Sequence, residues 1–141
     1  AYLSRLSGPL LDRIDLHVGV LPLTFAELRA PRAEPSSQVA ARVAGARRRQ
    51  QARLGQTGVA CNAQLSTDAL HRVARPPAAV EGVLQHAVDR LGLTARGLDR
   101  LLRLARTLAD LGGRPEIRSG DVTEALFFRG AEPDAQGDDL P

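Results

Sequence analysis

The apolar residues near the start of the chain alternate with polar ones. Between residues 14 and 20 every second position is apolar, which is typical of a β-strand. The apolar set is Ile14, Leu16, Val18 and Val20. One strand is not stable alone, so we expect its sheet to belong to upstream sequence that the chain lacks.

After residue 35 the apolar spacing changes to that of α-helices. Ser36 or Ser37 is predicted to cap a helix that runs to about Leu54, and Ser66 to cap a shorter one. Further helices are predicted over residues 78–91, 94–112 and 119–130. The fourth of these five has the clearest apolar face: Leu98, Leu101, Leu102, Ala105, Leu108 and Ala109. The expected fold is therefore mainly α, a small helical bundle preceded by one strand left over from a missing α/β core.

The composition agrees with packed helices. Aromatic residues make up only 3% of the chain, so the core must consist of Leu, Val and Ala. The chain contains no Met, and we expect it to be a piece of a longer protein. No run approaches the roughly 18–20 apolar residues of a membrane span, and the start does not resemble a signal peptide. We expect a cytoplasmic protein with no membrane partner.

The charge is distributed unevenly. All 19 basic residues are Arg, and the net charge is +3. Between Ser36 and Arg75 the only acidic residue is Asp68, and such a one-signed stretch can attract a phosphate backbone. The candidate nucleic-acid-binding residues are Arg42, Arg47, Arg48, Arg49 and Arg53. A solvated basic helix face explains the same pattern.

Arg96 is a candidate phosphate-binding residue. It lies in the first turn of the helix capped by Thr94, where the helix dipole disfavours a cation. The free backbone N–H groups of a first turn can bind an anion, and an Arg beside them can bind it bidentately. Arg96 shares one helix stripe with Arg100 and Arg103, and a solvated basic face is the alternative.

A second candidate is Arg13, which lies between Asp12 and Asp15 where the chain enters the predicted strand. Positions at the ends of sheet strands often contact ligands in α/β folds, although a surface ion pair is the simpler explanation. The three His residues show no metal-ligand spacing, and the single Cys61 excludes an internal disulfide, so we predict no metal site. The sequence also lacks a Gly-x-x-x-x-Gly-Lys-Ser/Thr loop.

Two segments together resemble the ComM/YifB family of Mg-chelatase-like AAA+ ATPases. Residues 6–16, LSGPLLDRIDL, resemble the end of that family's ATPase core. Residues 93–111, LTARGLDRLLRLARTLADL, resemble its lid. The resemblance implies that residues 1–20 are the last helical turn and strand of the core, 21–37 a linker and 38–130 the helical lid domain. Residues 131–141 are expected to be a disordered acidic tail outside the resemblance.

The resemblance also implies a function. Members of this family are hexameric motors that use ATP and Mg²⁺, which upstream residues would bind. Arg13 is similar to the arginine finger that reaches the γ-phosphate in the neighbouring subunit, and Arg96 is similar to the sensor 2 residue. ComM-type proteins are linked to DNA processing in natural transformation as branch-migrating helicases, so DNA is an expected partner. Without the phosphate-binding loop, this chain alone is not expected to hydrolyse ATP.

Two other functions stay open. A magnesium chelatase subunit would use the same ATPase to help insert Mg²⁺ into a porphyrin, although no residue here indicates a porphyrin site. A non-enzymatic helical interaction module would explain the bundle, but it would leave residues 7–16 unexplained. DNA-stimulated ATP hydrolysis would separate the motor from the chelatase.

Overall fold

The computed structural model of the protein describes residues 14–30, 34–55 and 58–129. Six α-helices lie within these ranges, and the prediction of a mainly helical chain is confirmed. They are α1 (Phe25–Arg29), α2 (Ser36–Leu54), α3 (Thr67–Val73), α4 (Ala78–Leu91), α5 (Ala95–Leu111) and α6 (Ser119–Phe127). A single 3₁₀ turn, Asn62–Gln64, lies between α2 and α3.

Helix α5 is the centre of the bundle. It packs against α2, α3, α6 and the 3₁₀ turn, and α4 packs against α6. Its side chains Leu101 and Ala105 are fully buried, as the apolar spacing predicts. Burying one Leu side chain contributes about 1.5–3 kcal/mol. The rest of the core comes from every other long helix and the connections: Leu54, Leu65, Leu70, Leu84, Ile117 and Val122.

Local capping sets the ends of the central helices. The Thr94 hydroxyl accepts a hydrogen bond from the Gly97 N–H at 3.1 Å, so α5 begins where the sequence predicts. Ser66 caps α3 in the same way through the Ala69 N–H. Helix α4 ends at Gly92, whose φ of 59° lies in the left-handed region that favours glycine. The predicted bounds of α3, α4 and α5 are confirmed.

Three details differ from the prediction. Residues 14–20 form no strand within the described part of the chain, because no second strand lies beside them there to share backbone hydrogen bonds. Helix α6 is capped by Arg118 instead of Ser119, since the Asp121 carboxylate accepts the Arg118 N–H at 2.9 Å. On α2 the helical spacing predicts an apolar side of Val39, Val43, Ala46 and Leu54, but Val39 and Val43 are exposed and only Ala46 and Leu54 are buried.

No helix in residues 14–30, 34–55 and 58–129 is long and apolar enough to cross a membrane.

Candidate functional site

Arg96 lies in the first turn of α5, on the solvent side. The residue is exposed, and within the described ranges it has no ion-pair or hydrogen-bond partner. The Thr94 hydroxyl accepts from the Gly97 N–H and the Thr94 carbonyl from the Leu98 N–H. The guanidinium and the remaining free N–H groups of the turn are thus available to an anion.

The other candidate catalytic residue, Arg13, lies outside the described residues, as does Asp12. The segment that follows Arg13 contacts two helices of the bundle. Asp15 Oδ1 lies 3.3 Å from the Nε of Arg100 on α5. Two residues later, the His17 N–H donates to the carbonyl of Phe128, the residue that caps α6, at 2.6 Å.

Arg100 and Arg103 form one wall of a groove of about 500 Å³. Asp15 and Leu16 line the same groove. Arg103 donates to the Leu65 carbonyl at 2.9 Å. Two nitrogens, Nη1 of Arg100 and Nε of Arg103, are buried without a hydrogen-bond partner in residues 14–30, 34–55 and 58–129. The predicted stripe therefore divides, with Arg96 exposed to solvent and the other two cations packed against the bundle.

The five candidate nucleic-acid-binding arginines on α2 have different surroundings. Arg48 is exposed and has no partner among the described residues. Arg42 is paired with Glu34, and Arg47 donates to Gln50 Oε1 at 3.3 Å. Arg49 donates to the Asp110 carbonyl at 3.2 Å. These differences make Arg48 and Arg47 more available to a phosphate backbone than Arg42.

Arg53, the fifth candidate, faces the inside of the bundle. Its two terminal nitrogens bind both carboxylate oxygens of Asp110, at 2.8 and 2.7 Å. It also donates to Asn62 Oδ1 at 3.0 Å. With 24% of its side chain exposed, Arg53 joins α2 to α5 and has little surface left for a nucleic acid.

Asp110 is the centre of a buried polar cluster that we define as Asp110, Arg53, Arg106 and Asn62. Arg106 donates to Asp110 Oδ1 at 3.1 Å, and Asn62 donates to Oδ2 at 2.9 Å. Arg106 also donates to the carbonyls of Pro115 and Arg114, in the connection between α5 and α6. Both Asp110 and Arg106 are at most 2% exposed. The cluster therefore holds α2, the 3₁₀ turn and the α5–α6 connection together.

The burial of these charges affects their pKa values. Burial alone would raise the pKa of Asp110, but the hydrogen bonds from Arg53 and Asn62 and the charge of Arg106 hold it below its ordinary value. Burial lowers the pKa of Arg106, and the neighbouring Asp110 opposes that shift. Arg remains charged across the physiological range, so Asp110 and Arg106 form an ion pair at neutral pH.

One sequence pattern indicates part of this cluster, although the sequence analysis did not use it. Arg106 and Asp110 follow Leu102 at intervals of four, so they lie within the apolar stripe of α5. Two opposite charges four residues apart on a buried face indicate a buried pair. Their partners, Arg53 and Asn62, are 57 and 48 residues from Asp110, which no local pattern shows.

Two further polar features lie outside this cluster. Asp99 accepts from Thr67 Oγ1 at 2.7 Å and lies 3.0 Å from His71 Nε2, which ties α3 to α5. Cys61 is half-buried beside Arg47. The described ranges contain no group of three or more His, Cys, Asp or Glu side chains placed to hold a metal ion.

Comparison with known proteins identifies relatives of the whole bundle. Residues 33–129 match the family described as magnesium chelatase, subunit ChlI C-terminal. The chain is 37% identical over 130 residues to competence protein ComM of Haemophilus influenzae and 34% identical over 131 residues to YifB of Escherichia coli. It is 44% identical over 128 residues to an uncharacterised protein of Mycobacterium tuberculosis. Each match covers 91% of this chain and 25% of the relative, so the chain spans about a quarter of the length of these relatives.

Proposed function

Because the chain belongs to the magnesium chelatase ChlI C-terminal family, and to the ComM/YifB group within it, we propose that it is the lid region of an ATP-driven DNA-remodelling motor. The family match over residues 33–129 carries this proposal. In this function the chain supplies Arg13 as the arginine finger and Arg96 as the sensor 2 residue. The phosphate-binding loop and the residues that bind ATP and Mg²⁺ belong to the rest of the motor.

The position of Arg96 supports its proposed role. It is an exposed cation without an ion-pair partner among the described residues, in a turn whose dipole disfavours it. Contact with a nucleotide phosphate would give this cation a bidentate partner. A sensor there would report the nucleotide state to α5, the helix on which the bundle is packed.

The proposal for Arg13 rests on the motif in residues 6–16 and on the assembly that the family implies. In a ring of identical subunits, each nucleotide site would lie between two chains, and Arg13 would complete that of the neighbour. An arginine finger stabilises the charge on the transferring phosphoryl group and contributes about 10³–10⁵ in rate. The hexamer is part of this proposal.

DNA is the proposed substrate for two reasons. The relative from Haemophilus influenzae is named a competence protein. The resemblance to ComM-type proteins implies a role in DNA processing during natural transformation. In addition, α2 presents Arg47 and Arg48 on its exposed surface. These two cations are the best placed of the five candidates to contact phosphates.

The test is ATP hydrolysis by the full-length protein, with and without branched DNA. We expect DNA to raise kcat, and Arg13→Ala to remove most of the activity while ATP still binds. Arg96→Ala should lower kcat as well. The matched control is Arg72→Gln, since Arg72 is exposed on α3 and has no partner in the described part of the chain. Wild-type hydrolysis by Arg13→Ala would disprove the finger assignment.

The magnesium chelatase activity remains as a second candidate, because the matching family carries that description. It predicts ATP hydrolysis that ignores DNA and responds to a porphyrin instead. The DNA-stimulation measurement therefore separates the two functions. The non-enzymatic interaction module predicts no hydrolysis in either condition.

A further inference from the structure

Two polar contacts fasten the segment that follows Arg13 to the helical bundle. The Asp15 carboxylate meets Arg100 on α5 at 3.3 Å, and the His17 N–H meets the Phe128 carbonyl at the end of α6 at 2.6 Å. We call these two contacts the latch. They lie two residues apart in the chain and reach two different helices.

The latch is polar, and it acts beside two partly buried apolar side chains, Ile14 at 37% and Leu16 at 48% exposed. Val18 is 66% exposed and Val20 87% exposed, so the residues after His17 leave the bundle surface. The ion pair and the backbone hydrogen bond are therefore the directional contacts of the segment, in addition to the packing of Ile14 and Leu16. Loss of either one should change the direction of the segment.

Arg100 is the fixed half of the ion pair. Its side chain is only 18% exposed, whereas that of Asp15 is 75% exposed. Its Nη1 is buried and has no hydrogen-bond partner in the part of the chain that the structure describes. Asp15 therefore docks on a cation whose position is set by α5.

We propose that Asp15 and Arg100 are positioning residues for Arg13, which couple the arginine finger to the helix that carries Arg96. This inference rests on the proposed function. Arg13 precedes Asp15 by two residues in the sequence. Arg96 precedes Arg100 by four residues, one turn of the same helix. A shift of α5 on nucleotide exchange would thus be passed through Arg100 and Asp15 to the finger.

The latch itself is tested first in the 141-residue chain, by hydrogen exchange of the His17 amide. Arg100→Gln and Asp15→Asn should each reduce its protection by about two- to fivefold, the size expected for an exposed ion pair. The double variant should lose no more than either single variant, because the two side chains act through one contact. Arg72→Gln is the control and should leave the protection unchanged. Equal protection in wild type and Arg100→Gln would overturn the latch.

The positioning role is tested in the full-length protein by ATPase kinetics. Arg100→Gln and Asp15→Asn should lower kcat roughly ten- to a hundredfold with KM for ATP unchanged, less than the loss in Arg13→Ala, since a displaced group retains part of its effect. Arg100→Lys keeps the charge and should recover part of the rate.

The outcomes separate this inference from the proposed function. Suppose that Arg100→Gln loses protection of the His17 amide but keeps a normal kcat, while Arg13→Ala has a low kcat. The arginine-finger assignment of Arg13 is then supported and the positioning role is wrong. If Arg13→Ala hydrolyses ATP normally, the proposed finger is wrong, and the positioning role is wrong with it.

Discussion

Replacing Asp110 by Asn should destabilise the fold strongly. The change keeps the side-chain volume and removes the charge that Arg53 and Arg106 share. Arg106 is 2% exposed and would remain as a buried, uncompensated cation. The new amide group would also point an N–H toward the donors that now bind the carboxylate.

The size of the effect follows from the burial of the partners. Removing one member of a buried ion pair costs about 3–5 kcal/mol. Arg53 is 24% exposed and can turn partly to solvent, which favours the lower end of that range. We therefore expect the free energy of unfolding to fall by about 3 kcal/mol. For a domain of roughly 100 residues this lowers Tm by about 12–24 °C.

The assay is urea unfolding of the chain followed by circular dichroism at pH 7, with the free energy obtained by linear extrapolation. Asp89→Asn is the matched control, because Asp89 is exposed on α4 and has no partner in the described residues. It should change the free energy of unfolding by less than about 0.5 kcal/mol. A loss below about 1 kcal/mol for Asp110→Asn, the value typical of exposed pairs, would refute the argument.

The pH dependence gives a second check on the same variant. The pKa of Asp110 in the fold lies below its unfolded value of about 3.9. Its contribution to stability is therefore fully present above that value and is lost as the pH falls through the lowered folded pKa. The stability difference between wild type and Asp110→Asn should be constant from pH 7 to about pH 5 and shrink only below about pH 4.

Two further predictions concern glycines and DNA. Gly82→Ala should raise the free energy of unfolding by about 0.5–1 kcal/mol, because the site is helical with no atom within 4 Å of the added Cβ. Gly92→Ala should lower the free energy of unfolding by about 1–2 kcal/mol, because the φ of Gly92 is 59° and lies in the left-handed region. Urea unfolding of both variants measures these changes, and equal changes in the two variants would contradict the reasoning. If the full-length protein binds DNA through α2, Arg48→Gln should reduce the salt dependence of the affinity by about one unit of log–log slope, measured by fluorescence anisotropy. Arg42→Gln should change it less, because Glu34 already neutralises Arg42, and an equal change in both would count against the assignment.

The helices could be predicted because their signals are local. Thr94 and Gly92 define the start of α5 and the end of α4 with contacts of at most a few residues. The apolar spacing of α5 likewise identified Leu101 as a core residue. These features depend on backbone geometry that nearby side chains alone determine.

The polar interior could not be predicted in the same way. Arg53 was interpreted as a DNA contact, since an Arg on an Arg-rich helix gives no sign of an acid 57 residues away. Gln50 on the same helix is also buried although it is polar, while the apolar Val43 is exposed. Burial on α2 depends on how far α5 extends alongside it, which is a property of the tertiary structure.

The candidate site was predictable only in part. Arg96 was identified from its position after a helix cap, and the structure leaves it exposed. The contact between Asp15 and Arg100 joins residues 85 positions apart, so it emerges only from the fold. The role of Arg13 depends on a neighbouring subunit and stays a prediction.

The cluster around Asp110 has a mechanical consequence for the bundle. Arg96 and Asp110 lie fourteen residues apart on α5, which corresponds to about 21 Å along the helix axis. Asp110 is fastened to α2 and to the 3₁₀ turn at once, so the far end of α5 cannot tilt without carrying both with it. If Arg96 moves with a nucleotide phosphate that it binds, the bundle would rotate as one rigid unit. That rotation would move the basic surface of α2.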